Sequence, residues 1–110
     1  MYNHISTQLS GAVILAEPAG GDALSISDII ISTEKRHNGR LIIRLSDGIN
    51  QGVLFTGSLN DGPINLSINF STEVEGWKNA WLEVEGWGNS FINVGVHYKS
   101  IGAGAEKNIS

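Results

Sequence analysis

The stretch Ile64-Asn65-Leu66-Ser67-Ile68-Asn69-Phe70 alternates apolar and polar side chains without a break. Successive side chains of a strand point to opposite faces, so Ile64, Leu66, Ile68 and Phe70 share one face and Asn65, Ser67 and Asn69 share the other. One dry face and one wet face mark an antiparallel strand laid over a core. The same period of two, broken by turn residues about every ten positions, extends in both directions. Residues 12–16, 24–32, 40–46 and 52–59 read as strands before it, and 81–85 and 91–99 as strands after it. Asn38-Gly39 is a strong two-residue hairpin signal, because both central residues of that turn need positive φ, and it makes 40–46 a return strand. Asp47-Gly48 and Asn60-Asp61-Gly62-Pro63 mark further turns, and Gly86-Trp87-Gly88-Asn89 links 81–85 to 91–99 as a last pair. No run of ten residues has helical spacing with a cap, although a short helical turn near residues 73–79 stays open.

These elements sum to an all-β domain of seven to eight short strands, an antiparallel β-sandwich or a small barrel. The chain has 110 residues, which suits one domain. Its core is expected over roughly 12–99, with residues 1–8 and 101–110 as flexible ends. The hexapeptides Val74-Glu75-Gly76-Trp77-Lys78-Asn79 and Val84-Glu85-Gly86-Trp87-Gly88-Asn89 echo one another. Two copies do not make a repeat architecture, and two similar turns account for them.

Charged residues are 16% of the chain, against about 25% in an average soluble protein. A surface with few charges is often covered by something else, although Asn and Ser supply polar surface here. The net charge is −4, and a nucleic-acid binder would show a basic stripe. The cluster Lys35, Arg36, His37 and Arg40 reads as a solvated turn. There is no cysteine, which removes disulfides and thiolate metal sites. Residues 1–10 lack a charged-then-apolar signal pattern, and the longest apolar run, 11–16, falls far short of the ~20 residues that span a bilayer. The expectation is a protein folded in a cytoplasm, binding neither nucleic acid nor membrane.

Catalysis needs a nucleophile, base or metal in a constellation, and none stands out. His4, His37 and His97 have no ligand spacing. Glu83 and Glu85 would share a strand face at a separation within the glycosidase range, about 5–10 Å, but exposed strands offer such pairs by coincidence. The glycosylation sequons beginning at Asn65, Asn69 and Asn108 are chance matches if the chain is not secreted. The expectation is no catalytic residue, no metal and no cofactor. The aromatic residues say more. If Leu82 and Val84 face the core, Trp81, Glu83, Glu85 and Trp87 face out, and Phe91 does so on the neighbouring strand. Trp77, Trp81, Trp87 and Phe91 are the candidate interface residues. Three readings of them stand: a partner interface, burial in the core through a flipped phase, and a stacking platform for sugars.

The succession Ile29-Ile30-Ile31-Ser32, Arg44-Leu45-Ser46-Asp47-Gly48, Val53-Leu54-Phe55-Thr56-Gly57-Ser58-Leu59, Trp81-Leu82-Glu83-Val84 and Ile92-Asn93-Val94-Gly95-Val96-His97-Tyr98 resembles small jelly-roll structural proteins of tailed bacteriophages, capsid decoration or cement proteins among them. The likeness covers roughly residues 24–99; the two Gly-Trp segments depart from it. It implies a jelly-roll-like sandwich and a non-enzymatic virion component, assembled in the host cytoplasm. It implies a homotrimer that binds the major capsid protein or another virion protein. A carbohydrate-binding β-sandwich module and a phage tail or baseplate component are the alternatives.

Overall fold

The structure, a computed structural model, describes residues 1–33, 39–58, 65–87 and 92–102. It contains strands β1 (Tyr2–Thr7), β2 (Ser10–Ala16), β3 (Asp22–Ser32), β4 (Arg40–Ser46), β5 (Gln51–Ser58), β6 (Asn65–Glu75), β7 (Trp81–Trp87) and β8 (Ile92–Gly102). They form two four-stranded sheets, β1-β8-β3-β6 and β2-β7-β4-β5, and all the pairings are antiparallel. The first strand pairs with the last, the second with the seventh, the third with the sixth and the fourth with the fifth. This nested pairing is a long hairpin folded over on itself, the jelly-roll arrangement.

The inner faces make the core. Leu24, Ile26, Ile29 and Ile31 of β3 and Ile92, Val94 and Val96 of β8 meet Leu41, Ile43 and Leu45 of β4 and Leu82 and Val84 of β7. Each such side chain contributes about 1.5–3 kcal/mol relative to exposure. The buried positions of β3 switch from even to odd numbers between Ile26 and Ile29 because the ladder is irregular between Ile26 and Asp28. One extra residue there resets the side-chain phase, so both halves of an 11-residue strand face inward. On β6, Leu66, Ile68 and Phe70 pack against the core while Asn65, Ser67 and Asn69 are exposed, as their alternation predicts.

Several expectations are corrected. Residues 1–8 are not a loose end: Tyr2–Thr7 pairs along β8, and the chain start exchanges bonds with Tyr98, whose N–H donates to Met1 O (2.9 Å) while the terminal ammonium donates to Tyr98 O (2.7 Å). At the other end, Ile101 and Gly102 continue β8 opposite Ala23 and Asp22, and 103–110 lies outside the described residues. Asn38 also lies outside them, but Arg40–Ser46 does not return along β3, because β3 and β4 belong to different sheets. For the same reason β7 and β8 are not a pair, and Gly86 and Trp87 stay within β7. Among the described elements the hairpin between consecutive strands is β4–β5, around Asp47-Gly48, where Gly48 has φ +92°. No helical turn forms over 73–79. β6 runs to Glu75, and the chain turns at 77–80 with Ala80 N–H donating to Trp77 O and Asn79 at φ +64°. This turn is tied to the start of β3 by Gly76 N–H on Leu24 O, Asn79 N–H on Asp22 O and Gly21 N–H on the Asn79 side chain, which satisfies the backbone without a helix. The echoed hexapeptides therefore have different structures, one a strand end and turn, the other strand interior as far as Trp87.

Candidate functional site

β7 runs between β2 and β4, and its burial alternates along its length. Leu82, Val84 and Gly86 are buried, so Trp81, Glu83, Glu85 and Trp87 form the outer face. The register adds the neighbours. Ile14, Glu83, Arg44 and Val53 make one row, Ala12, Glu85, Ile42 and Thr56 the next, and Ser10, Trp87 and Arg40 the one beyond. Several of these apolar side chains are open to solvent: Val53 is 57% exposed, Trp87 53% and Ile14 46%.

Arg44 sits at the centre. Its Nε donates to Glu83 (2.8 Å) and its guanidinium also to Glu85 Oε1 (2.6 Å). The three side chains are largely covered, at 13% for Arg44, 12% for Glu83 and 23% for Glu85. The hydrogen bond to Glu85 raises the Arg44 pKa, desolvation opposes it, and Glu83 adds to the rise. Glu83 Oε1 also accepts Trp81 Nε1–H (2.7 Å), which fixes the indole against the sheet. The carboxylates that could have resembled a catalytic pair are thus tied to one guanidinium.

The structure separates the candidate residues. Trp81 and Trp87 share this face, six positions apart, about 20 Å along the strand. Trp81 is half-buried and lies over the β4–β5 turn, where a methyl group on Gly48 would stand 3.6 Å from its Cη2. Trp77 is elsewhere. It packs against the core, its ring beside Gly52, and its Nε1–H donates to Asp47 Oδ2 (2.9 Å). Phe91 lies outside the described residues. Asp47 Oδ1 takes the N–H groups of Asn50 (2.6 Å) and Ile49 (2.8 Å). These two bonds, then that from Trp77, hold its carboxyl well below the usual carboxylate range. Asp47 and Trp77 therefore build the hairpin.

Sequence reasoning did not find Ile14, Val53 or Arg44 as parts of this face. Residues 12–16 carry no polar alternation, and β2 slips register between Ile14 and Ala16, so no phase could be read. Arg44 does lie between Ile43 and Leu45, and that spacing was a usable signal.

The outer face of the other sheet is of a different kind. The Tyr2 ring lies 4.6 Å from that of His97 and 5.8 Å from that of His4, over Gly95. His97 Nδ1 meets Asp28 Oδ1 at 2.6 Å. These side chains fasten the edge strand β1 across β8 to β3. Among the described residues, no group of three or more His, Asp or Glu side chains is placed to hold a metal ion. Comparison of the chain with protein-family models, curated proteins and solved structures finds no match.

Proposed function

We propose that this protein is a non-enzymatic structural component of a virion, a capsid decoration protein that binds the outer shell and associates as a homotrimer. The observation that carries the reading is the outer face of β2-β7-β4-β5, where Ile14, Val53 and Trp87 stand exposed around a covered Arg44–Glu83–Glu85 group. An apolar sheet face of this kind suits docking on another protein, and Trp is enriched where interfaces hold their binding energy. The jelly-roll sandwich supplies a rigid carrier, and symmetric assembly lets one patch serve repeatedly around an axis. A tail or baseplate component would use the same chemistry.

Electron microscopy of the purified particle, with mass spectrometry of its polypeptides, tests the reading. The expected result is this chain on the outer shell. Its absence from the particle overturns the proposal, and its location on the tail replaces the capsid assignment. Light scattering at micromolar concentration tests the trimer, and a clean monomer would remove it. Specific binding on a glycan array would favour the carbohydrate module instead.

A further inference from the structure

The outer face of β2-β7-β4-β5 has a charge pattern that selects its occupant. Arg44 is shared by two carboxylates, so the covered group carries one negative charge in excess. Both oxygens of Glu83 are engaged, one by Trp81 and the other by Arg44. Glu85 uses Oε1 for Arg44, and no buried side-chain oxygen of the described residues lacks a partner, so Oε2 is open to the surface. Beside it in the register stand Ala12 and Ile42, with Trp87 two positions along the strand. Arg40, opposite Trp87, is exposed at the end of the face.

We infer that this face docks a protein surface that presents a basic side chain among aliphatic ones, the cation bonding Glu85 Oε2 and the aliphatic groups covering Trp87, Ile14 and Val53. The inference rests on the reading of this face as the shell contact and deepens it. A cation delivered to Glu85 balances the excess charge as the face is dried, whereas a desolvated charge left unpaired is costly. The face is small for a self-standing dimer. Four strands by seven residues span roughly 19 by 23 Å, so docking would bury on the order of 900 Å² over both partners. That is below the ~1,600 Å² of a standard stable interface and suits a contact repeated many times on a large assembly.

The test uses the whole chain and two synthetic peptides, Ac-Ile-Arg-Val-NH2 and Ac-Ile-Glu-Val-NH2, titrated to a few millimolar while the indole N–H and backbone amide resonances are followed by NMR. The expected result is saturable shifts at Trp87, Glu85 and their β2 and β4 neighbours with the arginine peptide. The glutamate peptide should bind at least about fivefold more weakly, and Glu85→Gln should remove most of that preference while the rest of the spectrum stays in place. No shift on this face, or equal response to both peptides, overturns the inference. In parallel, wild type, Glu85→Gln and Trp87→Ala are sedimented with purified particles. If wild type binds and both variants bind equally well, the inference fails while the virion assignment survives. If wild type is not a particle protein at all, the virion assignment fails and the peptide titration alone decides the inference.

Discussion

At the scale of single residues, the structure rests on positions where one atom more or one proton more is not tolerated. Gly86 lies one residue before the end of β7, on its inner side; a methyl group there would stand 2.8 Å from the Arg40 carbonyl oxygen and 3.2 Å from Leu9 Cδ1. The first of these is backbone of the neighbouring strand and cannot step aside. Gly86→Ala should therefore lose about 1–3 kcal/mol, the usual cost of overpacking, read as a lower urea midpoint at unchanged slope; an unchanged midpoint would mean that β4 and β7 part more easily than their register implies. Asp47 makes the pH argument. Its folded-state pKa is lowered by the N–H groups of Asn50 and Ile49 and by the Trp77 indole. A depressed carboxyl contributes stability that is fully present above its unfolded value, near 4, and is lost as pH falls toward the folded value. Urea midpoints measured from pH 5 down to pH 2 should fall less steeply for Asp47→Asn than for the parent. Parallel curves would show that this carboxylate is not the proton-linked group.

At the scale of elements, the strands were legible and their partners were not. Alternation at 64–70 and 81–85 reports which side chains face the core, and the buried Leu82 and Val84 and the half-buried Leu66 and Ile68 packed against the core cluster answer to it. Turn residues report only that the chain reverses. A Gly-rich turn that folds a strand back onto its neighbour and one that carries it over to the other sheet use the same chemistry, so β3–β4 and β7–β8 read as hairpins although each crosses between sheets. β1 escaped notice because Tyr2, His4 and Ser6 alternate with Asn3, Ile5 and Thr7, a sequence with little apolar contrast. Its pairing with β8 and the Tyr2 ring over Gly95 hold it instead. The outer face of β7 was half legible: Trp81 and Trp87 followed from alternation, but Ile14 and Val53 come from strands whose register is irregular. That face yields two linked predictions. Trp81→Ala removes a half-buried ring from the surface of the sheet, so the dissociated chain should lose about 1–2 kcal/mol, less than the ~3–5 kcal/mol of a core aromatic truncation. Arg44→Met leaves Glu83 and Glu85 on neighbouring outward positions without their shared cation, and should cost about 1–2 kcal/mol at low salt, since the bonds are charge-assisted but still touch water. Repeating the unfolding in 1 M salt should recover part of the Arg44→Met loss, because salt shortens the Debye length to about 3 Å. A loss that salt does not change would assign Arg44 a packing role, and a core-sized loss for Trp81→Ala would show that its ring supports the sheet and is not held in reserve for a partner.

At the scale of the molecule, the nested pairing decides how the chain can fold. The β4–β5 hairpin closes over a four-residue turn whose Asp47 takes backbone N–H groups from Ile49 and Asn50, so it is local and can form early. Each later pair encloses the one before it: β3 with β6, β2 with β7, and finally β1 with β8, where Tyr2 stands opposite His97. The loop that must close grows at every step, and its entropy is lost before the pairing returns any energy. The core cannot be finished early, because β8 lies between β1 and β3 and supplies Ile92, Val94 and Val96. Sequence-distant pairing of this kind places folding in the millisecond-to-second range, slower than helical proteins of equal size. The tryptophans make the order visible. Trp77 contacts the β4–β5 hairpin through Asp47 and Gly52, whereas Trp87 is on the surface of β7. Stopped-flow refolding of Trp87→Phe, which leaves the Trp77 and Trp81 reporters beside the hairpin, should show one exponential phase on that timescale. Truncating Ile92→Ala or Val94→Ala on β8 should then speed unfolding and leave refolding nearly unchanged, because contacts made after the transition state act on the unfolding limb. Refolding faster than about a millisecond would contradict the closing order. So would a β8 substitution that slowed folding as much as it lowered stability, since the last strand to pair would then belong to the nucleus.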